Sequence, residues 1–260
     1  MIEIEHIWKR YGDNVILENI SATVKEGEFI TLVGASGCGK STFLRMLLGT
    51  ESPSQGEIKI DGKPIPDEPD AERGVVFQQY SVFPHLTVLE NVAIARAFEK
   101  TRLGFLFGAA KKAARDEAAA LLDIVGLSHM RDRYPDELSG GMRQRLAIAQ
   151  ALILKPRILL LDEPFGALDP GIRADMHDLV LDLWRKHKLT VFMVTHDLKE
   201  GFHLGTRLWV FDKLRVDPQS PNAYGAGITY DLPVGETGDE LLKEIDESLS
   251  MTSTEELTHG

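Results

Sequence analysis

The tightest constraint on this chain is the run Gly34-Ala-Ser-Gly-Cys-Gly-Lys40-Ser41. It follows a short apolar stretch, Phe29–Val33, and opens a stretch of helix formers from Lys40 to about Leu48, stopped by Gly49. A glycine-rich turn between a strand and a helix lets successive backbone N–H groups converge on an anion. The helix N-terminus adds roughly half an elementary positive charge. Lys40 adds a full charge for the β- and γ-phosphates of a nucleotide, and Ser41 offers a hydroxyl to Mg²⁺, an ion that takes few protein ligands. The pattern predicts an α/β fold with a phosphate site built from Gly34, Ala35, Ser36, Gly37, Cys38, Gly39, Lys40, Ser41 and Thr42.

Such a site needs an acidic partner, and Ile158-Leu-Leu-Leu-Asp162-Glu163 supplies one. Four apolar residues bury a strand and bring Asp162 to its carboxyl end, where open α/β sheets bind ligands. Asp162 is placed to hold Mg²⁺ through water, and Glu163 to orient or deprotonate an attacking water.

Elsewhere the hydrophobic pattern divides the chain. Ile2–Ile7, Ile16–Val24, Phe29–Val33, Glu57–Ile60 and Gly74–Phe77 read as short strands separated by Gly-containing turns. From Leu86 to about Leu154 the chain reads as mostly helical, with helices expected over Ala109–Val125 and Met142–Leu154, the latter ended by Pro156. Strand character returns at Arg157–Asp162, Thr190–Thr195 and Arg207–Asp212, with a helix over Pro170–His187. Strands alternating with helices favour a largely parallel sheet, here with an antiparallel β part and an inserted α-helical subdomain at about residues 80–155. The apolar stretch Thr101–Ala110 within the insert reads as a packed connection, with a partner-binding surface as the alternative.

Composition sets the limits. With 43% hydrophobic and 27% charged residues, the 260-residue chain can bury a substantial core. No apolar run approaches the roughly 20 residues of a membrane helix. The start, Met1-Ile-Glu-Ile-Glu, lacks the basic and apolar regions of a signal peptide. A single cysteine, Cys38, excludes an intramolecular disulfide and fits a reducing compartment; it reads as a small filler. The net charge of −11 is uneven: Asp212–Gly260 holds eleven acidic and three basic residues, a net of −8, leaving −3 for the first 211 residues. No basic patch suggests nucleic-acid binding. The expected division is therefore a body over residues 1–212 and an acidic extension over 213–260. The acidic tail reads first as a solvated surface; within it Asp239–Leu249 reads as an amphipathic helix, and Asp212–Gly260 as a regulatory or dimer-stabilising appendage is the alternative.

Leu138-Ser-Gly-Gly-Met-Arg-Gln-Arg145 completes the set. Together with the phosphate loop and the Asp162-Glu163 strand it resembles the ABC-transporter ATPase family, over roughly residues 1–212. The resemblance implies a P-loop ATPase using ATP and Mg²⁺. It implies that Ser139, Gly140 and Gly141 face the γ-phosphate of ATP held by a second cassette, a copy or a paralogue. It further implies that Tyr11 stacks on adenine, that Gln78 reaches Mg²⁺ and the water (Gln79 is adjacent), that His196 contacts the γ-phosphate, and that Asp169 lies in a loop crossing the dimer interface. Met142 stands where family members often have Gln. The segment Phe83-Pro-His-Leu-Thr-Val-Leu-Glu-Asn-Val resembles the groove for a coupling helix of transmembrane permease subunits. The flavour is that of bacterial importers of the nitrate/sulfonate/taurine type, which implies a periplasmic solute-binding protein and a peripheral position on the cytoplasmic face of the inner membrane. The rival readings are a non-transport ABC ATPase, against which the single cassette and missing basic face speak, and an unrelated P-loop kinase or pure nucleotide-binding regulator, against which Leu138–Arg145 speaks.

Overall fold

The computed structural model describes residues 1–78, 81–100, 106–215, 217, 219–220 and 222–234. Strands β1 (Ile2–Tyr11) and β2 (Asn14–Val24) form a hairpin, followed by β3 (Phe29–Gly34) and helix α1 (Lys40–Leu48). Then come β4 (Gln55–Ile60), the two-residue β5 (Lys63–Pro64) and β6 (Arg73–Val76). Helices α2 (Val88–Lys100), α3 (Gly108–Ile124) and α4 (Gly140–Leu152) follow, with 3₁₀ turns at Ser128–Met130 and Pro135–Glu137. The chain continues through β7 (Ile158–Asp162), α5 (Pro170–His187), β8 (Thr190–Val194), α6 (Leu198–Leu204), β9 (Arg207–Asp212) and β10 (Gly227–Pro233).

Two sheets result. One is antiparallel, in the order β2-β1-β4-β5; the other runs β10-β9-β3-β8-β7-β6 and is parallel except for β10. The central strands are buried on both faces, which is why Phe29–Val33, Ile158–Leu161 and Thr190–Val194 read as continuous apolar runs. Helix α1 lies in the core shared by the two sheets. Its Phe43 is fully buried and meets the rings of Phe192, Trp209 and Phe211 at 5.6–6.4 Å between centroids. The opposite face of the parallel sheet is covered by α4 and α5, through Ile148, Leu152, Met176, Val180 and Leu183. A separate apolar cluster, including Val92, Ala118, Leu122 and Leu146, joins α2, α3 and α4. Among the described residues no helix is long and apolar enough to cross a membrane.

The expected elements differ from the observed ones at identifiable points. Helix α4 starts earlier, at Gly140, because the Ser139 hydroxyl caps it by accepting from the Met142 N–H at 3.3 Å. Of the stretch Thr101–Ala110, residues 108–110 are the first turn of α3, and 101–105 lie outside the described residues. The parallel sheet also continues beyond Asp212. Strand β10 pairs with β9, and the segment before it reaches across to β2, where Val15 N–H donates to Asn222 O at 3.0 Å and Glu18 N–H to Ala226 O at 2.9 Å. Main-chain pairing therefore ties part of the acidic extension to the body. The expected Asp239–Leu249 helix lies outside the described residues.

β10 covers the edge of β9, and Arg207 pairs with Asp231 across the two strands. A chain ending at Asp212 is therefore expected to melt several degrees below one ending at Val234, in side-by-side calorimetry. Equal midpoints would show that β10 contributes nothing to the fold.

Candidate active site

Because β3, β6, β7 and β8 are parallel, their carboxyl ends open on the same side. Gly34 ends β3 and Asp162 ends β7, while Gln78 and His196 each stand two residues beyond β6 and β8. The topology thus gathers residues far apart in sequence at the edge where α/β sheets bind ligands.

The loop between β3 and α1 is shaped by close approach. Gly34, Gly37 and Gly39 have φ of 146°, 80° and 98°. A Cβ on Gly34 would lie 2.1 Å from the Phe211 carbonyl oxygen, and one on Gly39 would lie 2.6 Å from Leu17 Cδ2. Ala35, Ser36 and Gly37 form the exposed rim. Cys38 packs against the apolar core, with its thiol 3.6 Å from Lys40 Nζ. The Lys40 ammonium is buried at 5% exposure and donates to Gly34 O at 2.7 Å and Ala35 O at 2.8 Å. These partners are uncharged dipoles, so the full positive charge remains available to an anion in the loop.

The Ser41 hydroxyl donates to Asp162 Oδ1 at 2.8 Å. Among the described residues no group of three or more His, Cys, Asp or Glu could hold a metal by itself. One hydroxyl beside one carboxylate is a donor set that fits Mg²⁺, which keeps waters and phosphate oxygens as its other ligands. Next to it, Glu163 has φ 47°, the left-handed region that costs a non-glycine residue about 1 kcal/mol or more. Its N–H donates to Val194 O at 3.1 Å, which ties that turn to the end of β8. Gln78 Nε2 donates to Glu163 Oε2 at 3.2 Å, and His196 Nδ1 lies 3.8 Å from the same oxygen. His196 is 66% exposed, so the three side chains meet at the open face.

Tyr11, exposed at the end of β1, sits beside Thr42 and Arg45 of α1, and its hydroxyl bonds Glu51. Partial burial and then the Glu51 carboxylate push its phenol above the ordinary value, which keeps the ring neutral.

Comparison with known proteins decides the family. The ABC transporter family model matches residues 17–166, more than half of the chain. The chain belongs to the ABC transporter family. The nitrate import ATP-binding protein NrtD of Synechocystis sp. is 41% identical over 229 residues, 88% of this chain and 79% of that protein. The aliphatic sulfonates import ATP-binding protein SsuB of Bacillus subtilis is 44% identical over 195 residues, 75% of this chain and 72% of that protein. Among solved structures, the dimeric ATP-binding cassette MJ0796 in a post-hydrolysis state with ADP and Pi matches with a TM-score of 0.73 at 29% identity, over 90% of this chain and 99% of that one. This ABC cassette is thus an ATP-hydrolysing subunit of a transport system.

The cassette's remaining motif residues lie apart from the phosphate loop. Ser139 is exposed at the N-cap of α4; the nearest neighbours of a Cβ on Gly140 and on Gly141 would be Leu168 and Ile172, not residues of the loop. Asp169 is exposed at the N-cap of α5. The segment before α2 is pinned by fully buried Asn91, which accepts from Phe83 N–H at 2.7 Å and donates to the carbonyls of Phe83, Leu86 and Thr87. Beside it a groove of about 610 Å³ is lined by Val75, Phe77, Ser81, Ala95, Phe98 and Gln150, among others. Asn91 was not singled out by sequence, although a polar residue one turn into an apolar helix was a usable signal. Helix α6 was also missed, although Asp197 followed by Glu200 has the spacing of a helix start.

The glycine geometry makes a graded prediction. Gly39→Ala, strained and blocked by Leu17, is expected to weaken ATP binding at least 100-fold. Gly37→Ala has open space and carries only the left-handed penalty, about tenfold. Titration with a fluorescent ATP analogue checks the order.

Proposed function

We propose that this cassette works as half of a pair, in which each ATP is held by the phosphate loop of one chain and by Ser139, Gly140 and Gly141 of the other. The observation that carries the reading is the convergence of Gln78, Glu163 and His196 beside the Ser41–Asp162 pair at the carboxyl ends of parallel strands. Gly34–Ser41 and Thr42 bind the phosphates through backbone N–H groups, Lys40 neutralises the β- and γ-phosphates, and Tyr11 offers its ring to adenine. Ser41, Asp162 and Gln78 would hold Mg²⁺, which would supply charge neutralisation to the phosphates. Glu163 accepts the proton of the attacking water, Gln78 holds that carboxylate in register, and His196 donates toward the γ-phosphate. The exposed turn at Ser139 supports the two-chain arrangement, since its N–H groups have no phosphate of their own chain to meet. Asp169 stands at the same face in this reading. Loss of the γ-phosphate removes the bond between the two chains, which is a ligand-driven shift of population.

The transport role follows from the relatives. Those named act in import of nitrate and of aliphatic sulfonates, and a third, the bicarbonate transport ATP-binding protein CmpD of Synechocystis sp., is 45% identical over 215 residues. We assign this chain to an importer of a small solute of the nitrate/sulfonate/taurine class. Its groove at Phe77 and Phe98 receives a permease subunit. A periplasmic binding protein supplies the solute, and the cassette sits on the cytoplasmic face of the inner membrane. The Asp212–Gly260 segment, of net charge −8, acts as a regulatory or dimer-stabilising appendage of the cassette.

Replacing the base tests the core of this reading. Glu163→Gln is expected to bind ATP and accumulate closed dimers by size exclusion while hydrolysis falls at least 100-fold. Normal turnover by that variant refutes the assignment.

A further inference from the structure

The residue that faces the γ-phosphate in the reading above, His196, lies on a short connection between β8 and α6 and is itself largely exposed. Its ring approaches Glu163 at 3.8 Å and lies beside Gly166, and neither contact is a hydrogen bond that would fix it. Its two neighbours, by contrast, are anchored. Thr195 is 2% exposed, and its hydroxyl donates to Glu200 Oε2 at 2.5 Å while accepting from the Asp197 N–H at 3.1 Å. Asp197 caps α6 by accepting from the N–H groups of Lys199 and Glu200, and its carboxylate lies 3.9 Å from Arg173.

Glu200 is 7% exposed, and its other oxygen, Oε1, accepts from His177 Nε2 at 2.8 Å. A carboxylate that accepts at both oxygens fixes both donors. His177 is on α5, one turn after Arg173, and its ring packs on Phe165 at 5.0 Å and on His203 at 5.7 Å. The same helix therefore grips the connection on both sides of His196: Arg173 at Asp197, and His177 through Glu200 at Thr195. A buried, fully bonded carboxylate is a costly group to place in a core, and simple apolar packing between α5 and α6 would need none.

We propose that Glu200 and His177 are positioning residues for His196, holding the Thr195–Asp197 connection so that the imidazole meets the γ-phosphate. The inference rests on the reading of His196 given above. It assigns no chemistry to Glu200 itself. What is transmitted is geometry, and a displacement of about 1 Å at a reacting centre can cost on the order of 100-fold in rate.

The experiment compares Glu200→Ala and Glu200→Gln in the purified full chain, each alone and combined with His196→Ala. Glu200→Ala removes both hydrogen bonds and is expected to lower kcat for ATP by about 10- to 100-fold. KM for ATP and ATP-driven dimerisation are expected to stay near wild type. Glu200→Gln keeps an acceptor for Thr195 and a donor for the imidazole in its other tautomer, so it is expected to restore kcat to within about threefold. In the His196→Ala background, Glu200→Ala is expected to cost little more. Should Glu200→Ala fail to fold, Thr195→Val removes the same hydroxyl bond at nearly constant volume and is expected to lower kcat likewise. Wild-type kcat in the folded variant, or an equal loss with and without His196, overturns the positioning role. A His196→Ala chain that hydrolyses ATP normally takes down the reading of His196 as well, whereas a slow His196→Ala beside a normal Glu200→Ala takes down the positioning alone.

Discussion

How closely one stretch of backbone can approach another decides whether the nucleotide end of this molecule can form. Gly34 passes under the carbonyl of Phe211, and Gly39 passes under the side chain of Leu17. One contact comes from the parallel sheet and the other from the antiparallel sheet, so the loop is pressed between the two layers that the hydrophobic core joins. Phe43, three residues past Lys40, anchors α1 in that core. The phosphate loop is therefore held between two sheets that share one core, and Gly34 and Gly39 are where that sharing leaves no room for a side chain.

Charge placement follows from the same frame. Lys40 is buried among carbonyl dipoles and Asp162 is occupied by a hydroxyl, so the positive and the acidic halves of the site are held apart in the same chain. Had Lys40 paired with Asp162 directly, each would have neutralised the other and neither would favour a phosphate or a hard cation. Glu163 is the strained member. Its left-handed backbone turns the carboxylate toward Gln78 and His196, and the bond from its N–H to Val194 O holds the turn in place.

Much of this was legible in the sequence wherever one residue carried a local signal. Helix α1 was bounded by the glycine loop and Gly49, α5 was expected over Pro170–His187, and both appear with the expected limits. Strand β10 was not foreseen, although Ile228, Tyr230 and Leu232 alternate, because the glycines and prolines around it read as loop. The motifs named Gln78, Asp162, Glu163 and His196, but that Gln78 and His196 reach Glu163 while Ser41 reaches Asp162 depends on strand order, which local pattern does not carry. The positive φ of Glu163 and the bond between His177 and Glu200, 23 residues apart, are of that kind too. Both are products of tertiary contact, and no period or propensity announces them.

Gly140 and Gly141 show how position in the fold separates two residues that a motif treats alike. A Cβ on Gly141 would press within 2.5 Å of Ile172 on α5, so this glycine is required by the seating of α4 against α5. A Cβ on Gly140 would meet only Leu168, at 3.8 Å, so packing within the chain does not demand a glycine there. The physical case for close approach by an outside group therefore rests on Ser139 and Gly140, and Gly141 serves by fixing where they stand. Its contact is α5, the helix that follows the N-cap Asp169 and carries Arg173 and His177 toward the connection bearing His196. One helix thus touches the start of α4 at one end and contacts the connection bearing His196 along its length. Any tilt of α5 would move both at once, and no chain of small side-chain adjustments is needed to link them.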